Sequence, residues 1–145
     1  MHQNIIIIDS NFILLPFQFK IDYLNEIRNN LEGNLKFVIF QQILNELEAK
    51  KKREPKSTKF IRLLNSGLLY LEQNKGKYEI DRVDDIKQEN ESTDDYLLRK
   101  STELREEFQT VFLATNDSEL RRKARLSSIN TIFLRQKKYL SIERV

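Results

Sequence analysis

The sequence predicts an α/β fold, a three-layer α/β/α sandwich with a central parallel sheet, and three observations carry that prediction. Ile5-Ile6-Ile7-Ile8 is an unbroken β-branched run of the kind covered on both faces in a parallel sheet. Leu35 to Phe40 and Val111 to Ala114 are further apolar runs of strand length, one early and one late in the chain. Segments with apolar residues at helical spacing lie between them, so strands and helices alternate.

After the first strand a helix is expected over Ile21 to Leu31, where Leu24, Ile27 and Leu31 share a face and Gly33 stands just past the end. The second strand, Leu35 to Phe40, leads into a helix from Gln41 to about Lys52. That helix dissolves into Lys50-Lys51-Lys52-Arg53-Glu54-Pro55-Lys56-Ser57, which its like charges and proline mark as an exposed loop. Phe60 to Leu71 is helical, with Phe60, Leu63, Leu64 and Leu68 along one side; Asn74 to Lys77 is a turn; Tyr78 to Val83 alternates as a short strand. Asp84 to Thr93 is polar without an apolar period and is expected to be a flexible loop. A helix from Asp94 to about Phe108, the strand Val111 to Ala114, a helix Ser118 to Arg125 and a strand Thr131 to Leu134 complete the order.

The 145 residues, 39% of them hydrophobic, fit one domain over residues 1–145 with a proper core. Basic and acidic side chains number 25 and 22, for a net charge of +3. If several carboxylates gather around metal, the rest of the surface is more basic than that figure, which admits a polyanionic partner. The absence of cysteine excludes disulfides, thiolate zinc sites and cysteine nucleophiles. The single histidine, His2, adjoins the first Met, where a frayed terminus is expected rather than a catalytic base. Ile5 to Ile8 is too short for a signal segment or a membrane span, which points to a cytoplasmic protein without a membrane partner.

Four acidic positions fall where strands end or helices begin: Asp9 after the first strand, Glu46 in the helix after the second, the pair Asp94-Asp95, and Asp117 in Thr115-Asn116-Asp117. Strand carboxyl ends share one crevice in an open α/β sheet, so these side chains can meet there. Crowded carboxylates repel unless cations sit between them, which makes a metal site of oxygen ligands the first functional expectation. Each acid alone also has a structural role open to it. Asp9 and Asp117 can cap helices, Asp94 and Asp95 gain from a helix dipole, and Glu46 can be a solvated helix residue. At about 100° per residue, Glu46 lies about 60° from Ile43, on the border of the Ile43–Leu47 stripe. Asp94 is in phase with Leu97, Ser101, Leu104 and Phe108, whereas Asp95 turns away with Leu98, so Asp94 is the expected inward carboxylate.

The ordered set of motifs, from Asp9-Ser10-Asn11 through Glu46 and Asp94-Asp95 to Ala114-Thr115-Asn116-Asp117-Ser118-Glu119-Leu120, resembles the four acidic motifs of PIN-domain ribonucleases and spans nearly the whole chain. Pro16-Phe17-Gln18-Phe19, the doubled aspartate and the ending Lys138-Tyr139-Leu140-Ser141-Ile142-Glu143 look most like the branch that trims small-subunit ribosomal RNA precursors. The resemblance implies a metal-dependent endoribonuclease in which Asp9, Glu46, Asp94 and Asp117 hold one or two divalent cations, with Asp95 auxiliary. It also implies products with a 5′-phosphate and a 3′-hydroxyl. All-carboxylate sites suit Mg²⁺ or Mn²⁺. Asn11 and Thr115 are supporting polar groups or bond their own loops.

Two basic zones adjoin proposed ligands: Lys50 to Lys59, with Lys51, Lys52 and Arg53 and continuing to Arg62, and Arg121-Arg122-Lys123-Ala124-Arg125, with Arg135, Lys137 and Lys138 nearby in sequence. Phosphate contacts that guide RNA are the functional expectation for them. Phe17, Phe19 and Tyr96 are candidates for base stacking, with core packing favoured for the phenylalanines. A homodimer, a pre-ribosomal particle and an antitoxin are the protein partners this reading admits. The competing readings are a toxin ribonuclease of a toxin–antitoxin pair, a non-catalytic RNA-binding or scaffold protein, a phosphohydrolase with Asp9 as nucleophile, and a phosphoacceptor domain. Asn11 stands where the phosphohydrolase needs a second aspartate, and the acidic pair of a phosphoacceptor is missing from the first strand.

Overall fold

The computed structural model describes residues 3–108 and 110–145; His2 lies outside them. Among these residues six strands form one sheet in the order β3-β2-β1-β4-β5-β6. They are β1 (Gln3–Ile8), β2 (Asn34–Phe40), β3 (Glu79–Val83), β4 (Thr110–Ala114), β5 (Asn130–Arg135) and β6 (Tyr139–Glu143). The first five run parallel, as the sequence predicts, and β6 returns antiparallel to β5. Ile5 to Ile8 are at most 1% exposed, which is why this strand takes the centre of the sheet: only a segment apolar on both sides is stable there.

Among the described residues seven helices connect the strands: α1 (Ser10–Ile13), α2 (Leu15–Gln18), α3 (Tyr23–Asn30), α4 (Gln41–Arg53), α5 (Thr58–Gln73), α6 (Thr93–Glu107) and α7 (Ser118–Leu126). α1, α2, α4 and α5 pack on one another, whereas α6 and α7 pack together against β4 and β5. Right-handed crossovers put these two groups on opposite faces of the sheet. One apolar cluster runs from β1 through both helical layers. Among the described residues no helix is long and apolar enough to cross a membrane.

Three elements differ from expectation. The stretch after Asp9 folds into α1 and α2, because Asp9 caps the first and Pro16 stands in the opening turn of the second, while Phe12, Ile13 and Leu15 face the core. β6 is an additional strand. Its turn uses Gln136 and Lys137 at φ near 55°, a left-handed pair with no Asn-Gly or Asp-Gly to announce it. Residues 84–92 carry no helix or strand but are tied down rather than loose. The Gln42 N–H donates to the Asp85 carbonyl at 3.1 Å, Lys87 N–H donates to Gln42 Oε1 at 3.0 Å, and Lys100 pairs with Asp85 at 2.7 Å. Arg99 binds Glu91 through two nitrogens at 2.8 and 2.9 Å, which holds the Glu91 carboxyl down at about 2.

α5 crosses α1 at unusually short range. A Cβ on Gly67 would stand 3.0 Å from the Ile13 carbonyl carbon and closer still to its oxygen, so only glycine permits this contact.

Candidate active site

The direction of chain progression reverses at the middle of the sheet. From β1 the chain moves outward to β2, and from β4 it moves the opposite way to β5, so the carboxyl ends of the adjacent strands β1 and β4 open a crevice between diverging connections. Asp9 and Thr115-Asn116-Asp117 stand at this crevice because each directly follows its strand. Parallel pairing sets Ile8 against Ala114, and the Asp9 N–H donates to the Ala114 carbonyl at 3.0 Å.

Asp9 is 6% exposed. Its Oδ1 accepts the Ser10 N–H at 2.7 Å, capping α1. Oδ2 accepts the Thr115 hydroxyl at 2.7 Å and the Asn11 amide at 3.2 Å. The two supporting residues of the sequence reading thus bond Asp9 itself. Asn116 latches the loops together: its N–H donates to Asn11 Oδ1 at 2.9 Å, and its Oδ1 accepts the Leu134 N–H at 2.7 Å. Asp117 caps α7, its Oδ1 accepting the N–H groups of Glu119 at 2.9 Å and Leu120 at 3.1 Å.

α6 brings the aspartate pair. Ser92 caps this helix by accepting the Asp95 N–H at 3.1 Å. Leu97 and Ser101 are fully buried, and Asp94, on their side of the helix, is half-buried while Asp95 is exposed. Burial raises the Asp9 carboxyl above its ordinary range; bonds from Thr115 and Ser10 oppose this, and the charges of Asp94 and Asp117 add to it. Burial likewise raises Asp94, followed by the charge of Asp117, with Lys123 opposing and Asp95 and Glu119 adding. Asp9, Asp94 and Asp117 therefore lie near enough to repel one another.

Glu46 approaches from α4. Its Oε1 accepts the Thr93 hydroxyl at 2.8 Å and its Oε2 the Gln42 amide at 3.3 Å. The sequence reading does not single out Gln42 or Thr93. Gln42 carries a usable signal, since it stands four residues before Glu46 on one helical face; Thr93 meets Glu46 only through the tertiary fold. Among the described residues no group of three or more His, Cys, Asp or Glu is drawn together closely enough to hold a metal ion as a set.

The basic zones differ in pairing. Lys51 at the end of α4 is half-buried, and Lys52 and Arg53 are exposed. On α7, Arg122 binds Glu119 at 2.6 Å and Arg125 binds Glu143 at 3.1 Å. The charge of Lys123 lowers the Asp94 carboxyl, and the Arg121 guanidinium lies 3.9 Å from the Phe133 ring centroid. Tyr96 cannot stack on a base: it is fully buried, edge-on to Phe40 at 5.5 Å. Phe19 is half-buried against the core as expected, whereas Phe17 is 57% exposed and so departs from the expected core position.

A three-layer α/β fold with acidic side chains at its central switch point defines a class, and the comparisons agree on which. A family model described as PIN domain matches residues 6–135, and the chain belongs to the PIN-domain family. Ribonuclease VapC4 of Methanocaldococcus jannaschii is 30% identical over 137 residues, covering 94% of this chain and 95% of that protein. The solved structure of the PIN domain endonuclease Utp24 matches the fold with a TM-score of 0.68 and 20% identity, over 97% of this chain and 92% of that one. Both relatives are described as nucleases.

Proposed function

We propose that this chain is a divalent-metal-dependent endoribonuclease centred on Asp9, Glu46, Asp94 and Asp117, with Asp95 as an auxiliary ligand. The observation that carries the proposal is the buried Asp9 carboxylate, raised above its ordinary range beside Asp94 and Asp117 at the sheet's switch point. Such a donor set fits Mg²⁺ or Mn²⁺. It is all oxygen, its repulsion is what a cation relieves, and Mg²⁺ keeps several waters, so the protein ligands need not close around it. When bound, the ion supplies positive charge and a water of lowered pKa for in-line attack on phosphorus. Thr115 and Asn11 fix the Asp9 carboxylate, while Thr93 and Gln42 fix Glu46. Asp117 or Glu46 orients the attacking water or takes its proton. Lys51, Lys52, Arg53 and the basic residues of α7 guide the strand through phosphate contacts.

The test is incubation of the purified chain with single-stranded and structured RNA in Mn²⁺, Mg²⁺ or EDTA. Cleavage in either metal, lost in EDTA and leaving 5′-phosphate ends, is expected; cleavage that persists in EDTA would sink the proposal. Within the same assay, Asp94→Asn is expected to lose at least about thirtyfold more activity than Asp95→Asn, because removing a direct ligand costs several kcal/mol and removing a screened, exposed charge costs much less. A reversed ranking would make Asp95 the principal ligand.

The proposed role is cytoplasmic processing of small-subunit ribosomal RNA precursors, supported by the Pro16 to Phe19 segment, the doubled aspartate and the Lys138 to Glu143 ending. Accumulation of an unprocessed precursor when the gene is deleted tests that role, and a precursor pool identical to wild type excludes it. A toxin role predicts growth arrest on expression, relieved by a small protein encoded alongside.

A further inference from the structure

A second arrangement lies beside the acidic crevice, where α7 covers β5. Phe133 is only 8% exposed, and two guanidinium groups lie over its ring: Arg121 from α7, 3.9 Å from the centroid, and Arg135 from the same strand, 5.4 Å from it. Phe133 and Arg135 are two residues apart on β5 and so share a face of the sheet. Arg135 Nε donates to Ser141 Oγ at 3.0 Å, while Arg121 Nε is buried with no hydrogen-bond partner among the described residues. Their neighbours Arg122 and Arg125 are neutralised by Glu119 and Glu143, yet among the described residues no carboxylate lies within ion-pair distance of Arg121 or Arg135. Two guanidinium ions crowded over one ring without a counter-charge repel, and an anion seated on both removes that cost.

We propose that Arg121 and Arg135, held in orientation by Phe133, clamp one backbone phosphate of the RNA strand that enters the crevice. The inference rests on the endoribonuclease reading of the neighbouring carboxylates. Its placement is fixed by the fold. Arg121 follows Asp117 by four residues, about 6 Å along the helix axis, and its N–H donates to the Asp117 carbonyl at 3.0 Å. The Asn116 latch on Leu134 holds the end of β5 to the same loop. A guanidinium stacked on a ring directs its N–H edge outward, where paired donors match phosphate oxygens better than a lysine ammonium does. Such a contact sets the position of the strand without reading its sequence.

The test measures binding of a labelled single-stranded RNA of about 12 nucleotides, long enough to span one site of this kind, to full-length protein carrying Asp9→Asn to block cleavage. Arg121→Ala with Arg135→Ala is expected to raise Kd about tenfold and to lower the magnitude of the salt slope by roughly 0.7 for each lost contact. Arg121→Lys, which keeps the charge, is expected to recover less than half of the loss that Arg121→Ala produces. Phe133→Leu keeps both arginines and is expected to weaken binding as well; should it fail to fold, the lysine variant decides alone. Full binding by Arg121→Lys would reduce the clamp to diffuse charge and overturn it. Uridine 5′-monophosphate as competitor separates capture of a strand from capture of a free phosphate, and equal affinity for the two would also overturn the proposal. If the parent chain cleaves RNA and the double alanine variant shows unchanged KM and salt dependence, the clamp fails while the nuclease reading stands. Absence of cleavage by the parent chain removes that reading and the clamp with it.

Discussion

Asp9→Asn is expected to lower RNA cleavage by about 10³-fold or more, since a bound cation contributes several kcal/mol to the transition state, and at the same time to make the metal-free protein more stable. The stabilising part follows from sign. A carboxyl whose folded pKa lies above its unfolded value costs stability once it ionises, so stability falls as pH rises from the ordinary carboxylate range through the raised pKa and then levels off. Asparagine never ionises and escapes that cost, and it relieves Asp94 and Asp117 of a repelling neighbour. It keeps one oxygen for the Ser10 N–H but gives up an acceptor shared by Thr115 and Asn11. The gain is therefore limited to about 1 kcal/mol, or roughly 2–4 °C in Tm for a chain of this size. It should shrink on acidification and reverse with metal. Mn²⁺ at about 100 times its Kd stabilises the parent by about 2.7 kcal/mol, more than the substitution supplies. Melting curves at neutral and acidic pH, with and without Mn²⁺, check each step; a variant less stable than the parent without metal would contradict the electrostatic account.

Gly67→Ala is expected to destabilise the fold markedly although it adds a single methyl group. The new Cβ meets the Ile13 carbonyl, which is backbone and cannot rotate aside, so the overpacking cost belongs at the upper end of its usual range, about 3 kcal/mol. Alanine returns about 1 kcal/mol of helix propensity, leaving a net loss of about 2 kcal/mol. Urea unfolding should show a lower midpoint with an unchanged slope. Because α1 also carries Asn11, whose amide bonds Asp9, cleavage should fall with it. Stability equal to the parent would show that α1 and α5 separate freely.

Much of the fold is legible because the strands are written in unbroken apolar runs. Ile5 to Ile8, Leu35 to Phe40 and Val111 to Ala114 become three adjacent inner strands, and helical phase puts Asp94, which is half-buried, on the inward side of α6 and turns Asp95, which is exposed, away from it. What escapes the sequence is whatever depends on distant partners. β6 exists because Leu140 and Ile142 pack on the core after a turn built from left-handed Gln136 and Lys137, neither a glycine. The tethering of residues 84–92 depends on Gln42, Arg99 and Lys100, none of which has a period to reveal it. Tyr96 and Phe17 exchange their expected roles because burial of a single aromatic is decided by the layer above it. At the site, Asp9, Asn11 and Thr115 are readable as residues just past strand ends, and Asp94 and Asp117 as residues at helix starts, whereas Thr93 meets Glu46, 47 positions away, only once α6 docks.

The register that sets Ile8 beside Ala114 has a consequence for how the protein comes into being. Asp9 and the Thr115 hydroxyl that holds it are 106 positions apart. On a ribosome, the first strand is therefore exposed long before its central neighbour has been synthesised, and pairing between segments so far apart is slow compared with local helix formation. No nascent chain that stops short of β4 can assemble the acidic crevice. The centre is latent through most of translation and arises only when β4 slots in beside β1.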